Sequence, residues 1–119
     1  MKNINKVKKL KFFRRQKRTR SNIVGTSEKP RLSVFRSLTN IYVQAIDDVN
    51  HKTLISASSK ELKNKKGNKI EIASLVGELI GKKLKEKNII KIVFDKGAYK
   101  YHGRVKALAD GIRKMEINF

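Results

Sequence analysis

Between Lys96 and Arg104 the chain reads KGAYKYHGR, which brings together two tyrosines, a histidine, two glycines, two lysines and an arginine. Cations interleaved with flat π-faces suit a polyanion that also carries bases to stack on Tyr99, Tyr101 and His102. Gly97 and Gly103 relax the backbone at either end, so amide N–H groups beside a helix N-terminus can approach a phosphate. Lys100 and Arg104 are the leading phosphate ligands, and one of the two tyrosines is expected to pack on the sheet edge instead.

Other chemistries find less support. Asp47, Asp48, Asp95 and Glu78 are the acids that a metal-dependent nuclease would need, since such sites hold two metal ions about 4 Å apart between carboxylates. Asp47-Asp48 is more simply turn chemistry, and Asp95 has Lys96, Lys100 and Arg104 close by to balance it. His51 and His102 lack any metal-ligand spacing, and no nucleophile motif or phosphate-binding glycine loop is present. The expectation is no catalytic residue, no metal and no cofactor.

Charge narrows the partner further. The 119 residues carry 30 Lys/Arg against 10 Asp/Glu, a net charge of +20, and that much like charge calls for a neutralising partner. Nucleic acid is the first candidate. An anionic membrane is the second, disfavoured because no apolar run approaches the roughly 18–20 residues of a span. No apolar segment follows the basic N-terminus as in a signal peptide, and more cations follow Arg14-Arg15, unlike a twin-arginine signal. Cysteine is absent, which excludes disulfides and thiolate metal sites and fits a reducing cytosol.

Half of the net charge sits in residues 1–20, which hold ten Lys/Arg and no acid. Such a block cannot fold alone. Ile4, Val7, Leu10 and Phe13, spaced by three, give a weak amphipathic pattern for a helix that forms once phosphates screen the lysines. Residues 1–24 therefore read as a basic arm, disordered or helical on binding, and residues 25–119 as one globular domain. A linker around Gly25 to Pro30 joins the two.

The elements that hold the loop follow from periodicity. Arg31–Ser37 alternates apolar and polar residues, Ile41–Ile46 and Thr53–Ser58 read as the next two strands, and short connections make the three an antiparallel meander. Residues 60–69 are a charged solvent loop. Lys69 to Lys87 is helical, with Asn68 as N-cap, Asn88 as a left-handed terminator, and Gly77 and Gly81 allowing close approach to the sheet. Ile89 to Phe94 reads as an interior strand reached by a right-handed crossover; if it pairs in parallel with the first, the Ser37–Asn40 turn and the Asp95–Gly103 loop share one end of the sheet. A second helix starts near Arg104, with Val105, Leu108, Ala109 and Ile112 on one face, and Ile117 and Phe119 add a last strand or cover the core. The fold class is α/β, a mixed sheet flanked by helices in the order β-β-β-α-β-α. DNA-reader patterns are missing, so shape and backbone recognition of folded RNA is the better physical fit.

Three segments resemble a known family. Lys29 to Ser37 (KPRLSVFRS), Ile41 to Asp48 (IYVQAIDD) and above all Tyr99 to Lys114 (YKYHGRVKALADGIRK) are similar to the bacterial large-subunit ribosomal protein L18 family, and the likeness covers nearly the whole chain. The resemblance implies an RNase H-like core without a catalytic site. It also implies a protein that binds 5S rRNA and helps join it to 23S rRNA in the central protuberance, among neighbouring large-subunit proteins in the cytoplasmic ribosome. Carried onto this sequence, it places RNA contacts in the arm at Lys8, Lys9, Lys11, Arg14, Arg15, Lys17, Arg18 and Arg20. Further contacts fall at Arg31, in the turn at Arg36, Ser37 and Asn40, and in the loop at Lys96, Tyr99, Lys100, Tyr101, His102 and Arg104. The chain departs from the family pattern at Leu38-Thr39-Asn40, where Asn-Lys-His is frequent. A basic RNA chaperone outside the ribosome is the alternative reading; neither reading involves a membrane or a small-molecule substrate.

Overall fold

The structure, a computed structural model, describes residues 4–20, 23–62 and 67–119, with side chains of the first helix described from 7 to 18. Its elements are α1 (Ile4–Arg20), β1 (Arg31–Arg36), β2 (Ile41–Asp47), β3 (Lys52–Ser58), a single 3-10 turn (Ser59–Glu61), α2 (Lys69–Glu86), β4 (Val93–Asp95) and α3 (Arg104–Lys114). The strands form one mixed sheet in the order β3-β2-β1-β4. β1 pairs antiparallel with β2 and parallel with β4, as the crossover through α2 requires. Residues 63–66 of the expected solvent loop and the side chain of Arg20 lie outside the described residues.

Alternation decides which face of the sheet is buried. Leu32 and Val34 of β1, Ile41, Val43 and Ala45 of β2, and Ile55 and Ala57 of β3 point to one side and are buried there. Against them lie Ala73, Val76, Ile80 and Leu84 of α2, with Leu108 and Ile112 of α3 completing the same core. Both domain helices thus belong to one layer, and Phe35 on the opposite face stays 57% exposed.

Helix ends follow local chemistry. Asn68 caps α2 by accepting the Glu71 N–H at 2.9 Å. At the other end Asn88 takes φ 60°, and the N–H groups of Asn88 and Ile89 return to the carbonyls of Lys85 and Leu84, which satisfies two orphan acceptors. That termination explains why the fourth strand is shorter than the apolar run from Ile89 suggests. Ile89 is used to close the helix, Ile90 is 57% exposed, and the ladder with β1 runs only over Val93, Phe94 and Asp95. Nor is β4 interior: it stands at the sheet edge, where Lys91 pairs with Asn118 of the C-terminal segment. Ile117 is buried beneath this segment, and Phe119 stacks on Phe94 at 5.6 Å.

Glycines set the approach of the two helices to each other, more than that of α2 to the sheet. A Cβ at Gly77 would collide with the Leu108 carbonyl, and one at Gly111 with the Ser74 carbonyl. The two backbones therefore touch where these glycines face each other. Alanine is ordinarily the better helix former by about 1 kcal/mol, yet Gly111→Ala should destabilise the domain by ~1–3 kcal/mol through overpacking. A thermal melt showing Gly111→Ala at or above the parent midpoint would contradict this close crossing.

Two carboxylates, Asp47 at the end of β2 and Glu61 just past the end of β3, tie the acid limb of stability to the fold. Asp47 accepts the side-chain amide of Asn50 at 2.8 Å and the backbone N–H groups of Val49 and Asn50. Those bonds, the Asn50 side chain first, hold its carboxyl below the ordinary 3.8. Glu61 is held below 4.5 by Lys83 first, with the Ser58 N–H assisting. Both folded values are depressed, so the stabilisation is present above the unfolded values and is lost as pH falls through the folded ones. Melting temperature should fall on acidification below about pH 4, less steeply in Asp47→Asn. Parallel pH profiles for parent and variant would remove Asp47 from this account.

Candidate nucleic-acid interface

Arg31, one of the expected contacts, lies inside the fold. It opens β1 and is 4% exposed. Its Nε and Nη2 donate to Asp48 at 2.9 and 3.0 Å, and Nη1 donates to Asp95 at 2.9 Å. The bond to Asp48 is the main cause that raises this guanidinium above its ordinary value, against the opposing effect of burial. Asp95, itself 1% exposed, is thus balanced by Arg31 rather than by Lys96, Lys100 or Arg104. The charge of Arg31 is spent inside the protein, so it does not present a guanidinium to a phosphate outside. Asp48 also accepts the Gly25 N–H at 2.7 Å, which pins the linker over the same triad.

At the far end of β1 the turn and the loop meet. The Ser37 N–H donates to the Asn40 carbonyl, and the Ser37 hydroxyl accepts the Asn40 N–H at 3.1 Å. Asn40 Oδ1 accepts the Ser59 hydroxyl at 2.8 Å. These two side chains therefore shape the turn. Arg104, the first residue of α3, donates from Nη1 to the Ser37 carbonyl at 2.9 Å and so clamps loop to turn.

Tyr99 is the hub of this junction. Its hydroxyl accepts the Arg36 N–H at 3.3 Å and donates to the Arg36 carbonyl at 3.4 Å. The Arg36 guanidinium lies 4.8 Å from its ring centroid, and Phe12 of α1 meets the same ring edge-on at 5.7 Å. Tyr101 also has structural ties, because its hydroxyl accepts Arg113 at 2.8 Å and its ring meets Phe94 edge-on. It remains 40% exposed. Both tyrosines, rather than one, thus help hold the loop.

The loop backbone behaves as its glycines require. Gly97 and Gly103 take φ of 65° and 58°, a region that costs L-residues roughly 1–2 kcal/mol. Gly97 donates its N–H to Asp95 at 2.8 Å, so the buried triad also anchors the start of the loop. Lys96 reaches back to the Tyr99 carbonyl at 3.3 Å, while Lys100 and His102 are exposed.

The arm contributes a 17-residue helix. Lys8, Lys9, Lys11, Arg14, Arg15, Lys17 and Arg18 are all exposed on it. The apolar spacing named from sequence does not form the buried face. Val7, Leu10 and Phe13 are 36%, 48% and 59% exposed, whereas Phe12 and Gln16, one turn apart, are half-buried. Phe12 was missed because it carries no periodic partner; only its adjacency to Phe13 could have pointed to it.

Between α1, the end of β1 and the start of α3 lies a cleft of about 610 Å³, lined by Phe12, Arg15, Arg36, Ile70, Ala98, Tyr99, Lys100, His102, Gly103 and Arg104. Four of these carry a formal positive charge and none a negative one. Among the described residues, no group of three or more His, Asp or Glu side chains is arranged to hold a metal ion. Among the same residues, no helix is long and apolar enough to cross a membrane.

Fold and cleft together define a small, strongly basic α/β domain with a cationic cleft whose lining holds no acid. Residues 6–119 match the family described as ribosomal L18 of archaea, bacteria, mitochondria and chloroplast. Relatives named large ribosomal subunit protein uL18 are similar over almost their full length. The one from Finegoldia magna is 52% identical over 99% of this chain and 95% of its own. That from Staphylococcus carnosus is 50% identical over 98% and 99%, and that from Thermotoga petrophila 53% identical over 94% and 95%. The chain belongs to the ribosomal L18 family.

Proposed function

We propose that this chain is a structural constituent of the large ribosomal subunit that binds 5S rRNA and helps attach it to 23S rRNA in the central protuberance. The acid-free cleft carries the reading most directly: Arg36, Lys100 and Arg104 of the domain converge there with Arg15 of α1. Family membership supports the ribosomal setting, and the net charge of +20 supports an rRNA partner, since phosphate neutralisation supplies much of the affinity of such proteins. In this reading residues 1–24 act as the RNA-binding arm and residues 25–119 as an RNase H-like RNA-binding domain without catalysis. Its partners are both rRNAs and neighbouring large-subunit proteins in the cytoplasm. The exposed arm cations Lys8, Lys9, Lys11, Arg14, Lys17 and Arg18 supply reach and charge, and Lys96, Lys100, His102 and Arg104 form the fixed point. Arg31, Ser37 and Asn40 serve that point from within the fold.

Crosslinking in cells tests this reading and names the RNA. Crosslinks should map to 5S and 23S rRNA, with peptides from residues 7–18 and 96–104, and the chain should track the large subunit through a moderate-salt wash. Crosslinks spread over messenger and transfer RNAs, with the chain lost from the particle, would favour an RNA chaperone outside the ribosome.

A further inference from the structure

Among the described residues β3 is the outermost strand on the side away from β4, and an outer strand presents a row of backbone groups that another strand can take up. Thr53–Ser58 reads TLISAS, with no charge, proline or glycine, a composition that pairs readily when bare. It is not bare. Lys83 and Lys87 stand one turn apart on α2, and their ammonium groups donate to the carbonyls of Ser56 at 2.9 Å and Leu54 at 3.3 Å. Glu61 accepts the Ser58 N–H at 2.9 Å and the Lys83 ammonium at 2.8 Å. Charged side chains thus hold two acceptors and one donor at alternate residues of the edge. A bulge adds to this, because Ile55 pairs with Ala45 and Thr53 with Ile46 while Leu54 is passed over, which bends the ladder locally.

We infer that the outer edge of β3 is a strand-addition site for a second copy of this chain, kept closed by Lys83, Lys87 and Glu61. The held groups are the ones a second β3 would need. In an antiparallel pair centred on Ser56, that residue faces its own copy and Leu54 faces Ser58 of the second copy, and such facing residues exchange N–H and carbonyl. An arriving copy must therefore displace two ammonium groups and a carboxylate before it can pair. The net charge of +20 also keeps copies apart, but that repulsion reaches only about 8 Å at physiological salt and about 3 Å at 1 M. A hydrogen bond from a lysine to a neutral carbonyl acts at contact and outlasts such screening. The cap on β3 is thus what holds the chain monomeric once its charge is screened or neutralised. This inference stands apart from the rRNA reading, since none of its residues lies in the cationic cleft.

Sedimentation velocity of the full chain tests this, at concentrations up to about 100 μM, in low salt and in about 0.5 M salt where long-range repulsion is screened. The parent should stay monomeric in both. Lys83→Met combined with Lys87→Met keeps the apolar stems over the strand and removes both donors. That variant should be monomeric in low salt and form a concentration-dependent dimer in high salt, its weight-average mass approaching twice the parent's. Adding Glu61→Ala, which frees the Ser58 N–H, should shift the dimer to lower concentration. In the dimer, amide hydrogen exchange at Ser56 should slow several-fold. Lys82→Met with Lys85→Met makes the same change in charge and apolarity on α2, where Lys85 reaches Glu116 instead of β3, and should remain monomeric. If the Lys83 and Lys87 methionine pair fails to fold, Lys83→Ala with Lys87→Ala gives the same reading. A parent that dimerises in high salt would show that the edge is not closed. A Lys83 and Lys87 variant that stays monomeric at the highest concentration would overturn the inference. So would equal dimerisation of the Lys82 and Lys85 variant, or a dimer with unchanged exchange at Ser56, since either assigns association to another surface.

Discussion

Arg31→Met should lower the free energy of unfolding by ~3–5 kcal/mol, the cost of stripping one partner from a buried ion pair. The size of the effect comes from what remains. Asp95 is 1% exposed and Asp48 partly buried, and without the guanidinium the buried Asp95 carboxylate would lose the ion pair that balances it in a low-dielectric site. Methionine fills much of the volume but cannot donate. Asp48 would still hold the Gly25 N–H and Asp95 the Gly97 N–H, so linker and loop would both be strained by the same change. Combining Arg31→Met with Asp95→Asn should recover part of the loss, since the deepest uncompensated charge is then gone. Urea melts with an unchanged m-value measure this. A loss under about 1 kcal/mol would mean that the triad is solvated and that Arg31 is available to a ligand after all.

Much of the frame was legible in the sequence, and the reasons are physical. Alternation in Arg31–Ser37 reports burial of one face directly, so the common side of Leu32 and Val34 followed, and the short link to Ile41–Ile46 gave the pairing. Asn68 and Asn88 announced the ends of α2 because capping and left-handed backbone are local properties of those residues. What was not legible depends on three-dimensional company. Arg31 reads as one more cation in a basic chain until β4 brings Asp95 beside Ser33, two residues along β1, and the turn after β2 delivers Asp48. Gly111 gave no signal within an otherwise regular helical pattern, because its reason is the Ser74 carbonyl on another helix. The candidate site divides in the same way. The loop from Lys96 to Arg104 could be picked out by composition, but the docking of Phe12 on Tyr99, which turns a loop into one wall of a cleft, could not. Tyr101 was equally open until Arg113, one helical face away, took its hydroxyl.

The arm and the loop make their largest joint contribution through charge, and that contribution has a characteristic dependence on salt. Ten Lys/Arg in residues 1–20 and the cleft cations provide more than enough positive charge to neutralise roughly 6–10 phosphates. Each phosphate neutralised releases condensed counterions, so affinity falls with salt as a power law whose exponent counts contacts. Duplex and single-stranded regions differ in that exponent, but both give a steep slope. Removing residues 1–20 should flatten it while leaving the domain's cooperative melt in place, because the buried core cluster draws no described residue from the arm.

A filter-binding titration of the full chain with 5S rRNA, across salt, tests the central claim most directly. Binding should weaken by about 10³–10⁵ between roughly 50 and 200 mM salt, on the scale established for duplex nucleic acid. An affinity for 5S rRNA that is flat across that range, or no binding at the lowest salt, would contradict the account.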